Sequence, residues 1–240
     1  MYNIAVILAA GNGTRMGIDK SKLLLEIGGK TVIERTVETF ENMAEIDEII
    51  VVCRECDFET FSALLPDDNI SFVIGGNTRQ ESVRNAVETI DECDYIIIHD
   101  GARPLVREDT VLRTLDKAQS EKAAAVGVYV KDTIKLVDDD LNIAGTPNRK
   151  YLVSIQTPQI FDFELYVQAL EKATEQGKDY TDDCQLVENY GAKVSVVLGE
   201  YDNIKITTKS DVPLAESLLN ARLEGAYESV SYTHLTLPTN

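Results

Sequence analysis

The residues best suited to chemistry cluster near the start of the chain. Ala9, Ala10 and Gly11 follow a short apolar run, and Gly13, Arg15 and Lys22 come soon after. Small residues let another group approach the backbone closely, and glycine gives the turn unusual conformational freedom. Two fixed cations beside exposed backbone N–H groups make a cradle for a polyphosphate. Two better-known cradles are excluded. A dinucleotide fingerprint needs a third glycine where Met16 stands, and an acidic residue about 20 positions on at the end of the second strand. A Walker A loop needs Gly-Lys-Ser/Thr closing the turn, and Met16-Gly17-Ile18 does not supply it. On spacing alone, an ordinary glycine turn bearing surface charges remains the competing reading.

Asp100 is the second candidate. It follows Tyr95-Ile-Ile-Ile-His99 and precedes Gly101, so a strand delivers a carboxylate to the sheet's edge with room beside it. A hard oxygen there suits Mg²⁺, which commonly takes one or two carboxylates plus substrate phosphates. A turn or helix-capping aspartate fits the same spacing. His99 is expected to be a packed side chain rather than a base, because phosphoryl nucleophiles are already ionised at neutral pH. Cys53 and Cys56 form a C-x-x-C, but zinc would need two more paired ligands. With Cys93 and Cys184 they read as reduced, buried or half-buried thiols.

The elements that must position these groups alternate along the chain. Ile4–Leu8, Glu48–Cys53, Ile70–Ile74, Tyr95–Ile98 and Ala123–Val130 are short apolar runs rich in branched residues, as in strands buried on both faces. Between them, Thr31–Met43, Asp57–Leu65, Ser82–Ile90 and Glu108–Ser120 carry helical patterns. The alternation predicts a three-layer α/β sandwich with a mostly parallel, Rossmann-like sheet. In such sheets ligands lie beyond the carboxyl ends of the strands, where Gly11–Arg15, Gly75–Arg79 and His99–Arg103 fall. Thr133–Val137, an acidic turn and Asn142–Ala144 predict a hairpin, a β-arm of about residues 132–152 with too little apolar alternation to be buried on both faces. Further on, Phe163–Thr174 predicts a helix and Thr181 the cap of another; Lys193–Leu198 and Asn203–Thr207 alternate like edge strands, and Asp211–Leu223 closes the fold. One domain over residues 1–228 is expected. The tail at 229–240, SYTHLTLPTN at its end, lacks acidic residues and a helical period, and reads as a cloning or sequencing scar.

Composition narrows the functions. At 240 residues with 44% hydrophobic content the chain can bury a sizeable core. A net charge of −18 argues against nucleic acid as a partner, although a phosphate site needs only a locally positive field. No apolar run approaches a membrane span and no signal-peptide pattern opens the chain, so a cytoplasmic protein without membrane partners is expected.

LAAGNGTRMG with Lys22, then GGNTRQESV, IHDGARP, VKDTIK, TPNRKYL, QTPQIF, TDD and NIKIT, resemble in order the 2-C-methyl-D-erythritol 4-phosphate cytidylyltransferase family of polyol-phosphate nucleotidyltransferases. The resemblance implies transfer of CMP from CTP to that polyol phosphate with release of pyrophosphate, in non-mevalonate isoprenoid precursor synthesis. It implies that Arg15, Lys22, Arg149 and Lys205 serve catalysis and that Mg²⁺ sits at Asp100. Ala9, Ala10, Gly76 and Ser82 would read the cytosine, with Gly11 and Gly13 along the nucleotide. The family often has Asp where this chain has Asn77, and a proline where it has Ser21. Arg103, Thr133, Thr181 and Asp182 would surround the second substrate. The arm would reach into a partner subunit, giving a homodimer in which Arg149 approaches the partner's site. A sister family using ribitol 5-phosphate shares this plan; TPNRKYL, VKDTIK and the glycine of HDGARP favour methylerythritol. A nucleotide-binding module without turnover is the reading from another class, and the joint presence of Arg15, Lys22, Asp100 and Lys205 argues against it.

Overall fold

Branched apolar runs with little to offer water open and fill the fold. The computed structural model describes residues 1–11 and 21–225, so Gly13, Arg15 and the expected tail at 229–240 lie outside the described residues. In chain order the elements are β1 (Asn3–Leu8), β2 (Glu26–Ile27), β3 (Lys30–Thr31), α1 (Val32–Glu41), β4 (Glu48–Cys53), α2 (Phe58–Leu64), β5 (Ile70–Ile74) and α3 (Arg79–Val87). They continue with β6 (Tyr95–Asp100), α4 (Glu108–Glu121), β7 (Ala123–Tyr129), β8 (Leu136–Val137), β9 (Ile143–Gly145), β10 (Val153–Asp162), α5 (Phe163–Glu175), α6 (Asp183–Tyr190), β11 (Ser195–Leu198) and α7 (Asp211–Leu223).

Seven strands form the central sheet in the order β11-β7-β10-β6-β1-β4-β5. Strand β1 lies at its heart, parallel to both β4 and β6, and β10 runs antiparallel between β6 and β7. Successive side chains of a strand point to opposite faces, and β1 divides accordingly. Ala5 and Ile7 pack with Val37 and Phe40 of α1, Leu115 of α4 and Ala215 of α7. Ile4 and Val6 pack on the other face with Val83 of α3, Tyr166 of α5 and Val187 of α6. These are the three layers. Among the described residues no helix is long and apolar enough to cross a membrane.

The structure adds one strand and corrects three expectations. Val153–Asp162, where the sequence predicts no element, is a central strand that bulges between Ile155 and Gln159. Asn203–Thr207 is no edge strand: its backbone groups meet Ala102, Arg103 and Lys22 instead of a ladder. Helix α3 starts at Arg79 rather than Ser82, because Thr78 caps it by accepting from the Glu81 N–H. Helix α6 is capped by Asp182, whose carboxylate accepts from the Cys184 N–H, and not by Thr181.

The arm stands off the sheet as a small antiparallel pair, β8 with β9. Its apolar side chains face outward in this chain: Leu136 is 58% exposed, Ile143 65% and Tyr151 75%.

Candidate active site

The parallel strands end on one rim, and there the small residues do their work. Gly75 leaves β5 so close to Ala10 that a Cβ on it would lie 2.4 Å from the Ala10 methyl. Glycine opposite alanine is therefore what lets the loops after β1 and β5 touch. Ser82 fastens the second loop, accepting from the Gly76 N–H at 3.1 Å and donating to the Thr78 carbonyl at 2.8 Å. The Asn77 N–H donates to the Glu81 carboxylate at 2.7 Å.

Between these loops lies a cleft of about 340 Å³. Ala9, Ala10, Gly11, Gly76, Asn77 and Ser82 line it, together with Lys22, Asp100 and Lys205. Sequence reasoning assigned all nine to one site. Thr78, Arg79 and Thr207 also line it and had no assigned role. Among the described lining residues, Lys22, Arg79 and Lys205 are the cations and Asp100 is the carboxylate. The cleft is thus locally cationic on a chain of net charge −18, the field an anionic ligand requires.

Asp100 ends β6 and is nearly buried. Its Oδ2 meets Lys205 Nζ at 2.8 Å and Arg103 Nε at 3.4 Å. Burial pushes its carboxyl up, but Lys205, Arg79 and Arg103 outweigh that and hold it well below the usual carboxylate range. Arg103 donates a further bond to the Asn203 carbonyl at 2.7 Å. Burial pulls its guanidinium down despite the Asp100 charge. Arg103 therefore links Asp100 to the Asn203 backbone, and it does not itself line the cleft in this chain.

His99 is fully buried against the Phe40 ring. Burial outweighs the attraction of Asp100 and pulls its pKa down to about 4, so the imidazole is neutral. The arrangement that satisfies each atom runs from the Asp100 N–H to Thr157 Oγ1 at 3.0 Å, and from the Thr157 hydroxyl to His99 Nδ1 at 3.0 Å. His99 Nε2–H then donates to the Arg103 carbonyl at 3.3 Å. The histidine shapes the loop after β6, as a packed residue.

Two tethers cross the cleft's rim. Lys22 donates to the Ile206 carbonyl at 2.9 Å, and the Ile206 N–H donates to the Ala102 carbonyl at 2.8 Å. On the far side Arg79 pairs with Asp183 at 2.5 Å, and the Tyr166 hydroxyl donates to the other Asp183 oxygen at 2.8 Å. Burial pulls the Arg79 guanidinium down, and the Asp183 charge more than reverses it, leaving it raised. This pair joins α3 to the first residue of α6, just past Thr181 and Asp182. Those two residues, with Thr133 and Arg149, do not line the cleft in this chain. Arg149 lies at the base of the arm, donating to the Lys131 carbonyl at 2.7 Å.

Among the described residues no group of three or more histidines, cysteines or acidic residues is placed to hold a metal. The cleft instead offers one carboxylate. That suits a hard divalent ion completing its shell from phosphate and water, as Mg²⁺ does, and rules out an all-protein cage among these residues. Cys53, Cys56, Cys93 and Cys184 are all free thiols; burial pushes Cys53 up to about 11 and Cys93 to about 12.

Comparisons with known proteins identify the family. The profile of the family described as IspD, 2-C-methyl-D-erythritol 4-phosphate cytidylyltransferase, matches residues 3–221. A protein of that name from Caldanaerobacter subterraneus subsp. tengcongensis is 46% identical over 224 residues, spanning 90% of this chain and 97% of the relative. Its counterpart from Clostridium tetani is 42% identical and spans 90% of each chain. The crystal structure of 4-diphosphocytidyl-2C-methyl-D-erythritol synthase from Anaerococcus prevotii superposes with a TM-score of 0.82 at 39% identity, covering 91% of this chain and 96% of that one. A small-residue cradle, a cationic cleft and this breadth of likeness lead to one statement: the chain belongs to the 2-C-methyl-D-erythritol 4-phosphate cytidylyltransferase family.

Proposed function

We propose that this protein transfers CMP from CTP to 2-C-methyl-D-erythritol 4-phosphate, releasing pyrophosphate, as a step of isoprenoid precursor synthesis in the cytoplasm. The observation that carries the reading is the meeting of Lys22, Asp100 and Lys205 over the ledge formed by Ala9–Gly11 and Gly76. An oxygen of the acceptor phosphate attacks the α-phosphorus of CTP. The new P–O bond forms as the bond to the β-phosphate breaks, and pyrophosphate leaves with that electron pair. The acceptor is already ionised, so no base is required, and His99 is buried away from such a role. Catalysis is positioning plus stabilisation of charge on the phosphoryl oxygens.

The cleft lining supports part of the residue roles, and the family resemblance supplies the rest. Ala9, Ala10, Gly76, Asn77 and Ser82 are assigned to the base, and Gly11 and Lys22 to the triphosphate; Gly13 and Arg15, outside the described residues, are assigned to the triphosphate by the family resemblance alone. Lys205 faces the acceptor phosphate. Asp100 is the residue to hold Mg²⁺, which when bound neutralises charge on the triphosphate. The outward apolar face of the arm supports a homodimer in which Thr133 and Arg149 serve the partner's cleft. Thr181 and Asp182, at the head of α6, flank the acceptor. A single catalytic domain to about residue 228 fits the family match at residues 3–221.

The test is pyrophosphate release from CTP with a panel of polyol phosphates. Methylerythritol phosphate is expected to be used at least tenfold better than ribitol 5-phosphate. The reverse preference would move the protein to the sister activity, and no release with any acceptor would leave only a nucleotide-binding module.

A further inference from the structure

Asn203 lies at the start of the strip that carries Lys205 and Ile206, and its side chain is almost wholly buried, 1% exposed. The strip belongs to no sheet, so no strand ladder fixes it. The Asn203 amide adds an anchor to β10 beside the backbone bonds to Ala102, Arg103 and Lys22. Its Nδ2 donates to Gln156 Oε1 at 3.1 Å and to the Thr157 carbonyl at 3.0 Å, both on β10. Two facing acceptors fix the amide's orientation, since its own oxygen in that place would be repelled. Two residues on, Lys205 meets Asp100 at 2.8 Å; one further, the Ile206 carbonyl accepts from Lys22 at 2.9 Å.

We propose that Asn203 is a positioning residue for the transfer reaction, its buried amide holding the strip so that Lys205 stands over the cleft beside Asp100. This rests on the cytidylyltransferase reading above. Lys205 is 40% exposed and its stem is flexible, so its ammonium is placed by the backbone beneath it as much as by Asp100. Without the amide the strip loses its side-chain bonds to β10, and Lys205 is held less firmly over the cleft for the acceptor phosphate.

The test is a double-mutant cycle on kcat/KM for the polyol phosphate, with melting temperature measured alongside. Asn203→Ala is expected to lower kcat/KM about tenfold, the scale of one net buried hydrogen bond. The loss is expected mainly in KM for the polyol phosphate, with KM for CTP changing less than twofold. In a Lys205→Ala background, assayed at high protein concentration, Asn203→Ala is expected to cost less than twofold more, because its effect passes through Lys205. A general loss of structure would instead repeat in both backgrounds. If Asn203→Ala does not fold, Gln156→Ala removes one acceptor and leaves the Thr157 bond; the same non-additivity is expected at a smaller size. Equal losses in both backgrounds, or no loss in either, would overturn the inference while leaving the activity intact. Wild-type protein that releases no pyrophosphate from CTP and the acceptor would overturn the cytidylyltransferase reading, and the positioning role with it.

Discussion

Replacing Asp183 by asparagine removes one charge from a buried pair that joins two helices. The side chain of Asp183 is 3% exposed and that of Arg79 is 25% exposed, with 2.5 Å between them. Asparagine keeps the volume and can still accept from the Tyr166 hydroxyl, so the change isolates the ion pair. Removing one partner of a fully buried pair costs about 3–5 kcal/mol, because the other charge is left uncompensated. Arg79 reaches water with a quarter of its side chain, which recovers part of that cost. The expected loss is therefore about 2–3 kcal/mol, or roughly 5–10 °C in melting temperature for a domain of this size. Urea denaturation of wild type, Asp183→Asn, Arg79→Met and the double variant measures it. The double variant is expected to be more stable than the sum of the two single losses, since no orphaned charge remains. A loss below about 0.5 kcal/mol for Asp183→Asn, the range of an ordinary surface change, would refute the reasoning, as would strict additivity.

Three further outcomes are expected. Lys22→Ala should lower turnover by about 100- to 1,000-fold, the scale of one cation or donor used in the transition state, while leaving the melting temperature within a few degrees; near-normal turnover would remove Lys22 from the mechanism. Stability should fall as pH drops from about 6.5 toward 4, because His99 is neutral in the fold and the unfolded chain takes up its proton first. The contribution is about 3 kcal/mol over that window, and in urea titrations His99→Gln should show a shallower acid slope than wild type; an unchanged slope contradicts the assignment. Mixing Lys22→Ala with Arg149→Ala under subunit exchange should restore activity toward half the wild-type value per heterodimer, since one of its two sites carries neither lesion; verified exchange without recovery means that Arg149 does not serve the partner's site.

How much of this was legible in the sequence depended on whether neighbours in the fold were neighbours in the chain. Strand β1 and its small-residue ledge were plain, since a branched run followed by Ala9-Ala10-Gly11 has few other solutions. Asp100 was legible for the same reason, at the end of a buried run. Strand β10 was not: Gln156, Thr157, Pro158 and Gln159 interrupt its apolar character, and proline within a run argues against a central strand. The bulge accommodates them there. Asn203–Thr207 misled in the opposite direction. Ile204 and Ile206 alternate with polar residues as a strand does, yet the strip's bonds go to loops and side chains. Pairs such as Arg79 with Asp183 leave no local trace, since neither residue carries a pattern naming its distant partner. The arm was legible only as a hairpin with too little apolar alternation to be buried on both faces, and its exposed Leu136 and Ile143 are what the proposed homodimer rests on.

Direct transfer of a cytidylyl group onto an acceptor phosphate is tested in one spectrum by ³¹P NMR of the complete reaction with CTP, Mg²⁺ and methylerythritol phosphate. The monophosphate resonance of the acceptor should vanish as the coupled pair of a diphosphate diester appears, with one pyrophosphate formed for each diester. CMP with pyrophosphate and an untouched acceptor, or CDP with inorganic phosphate, would contradict it.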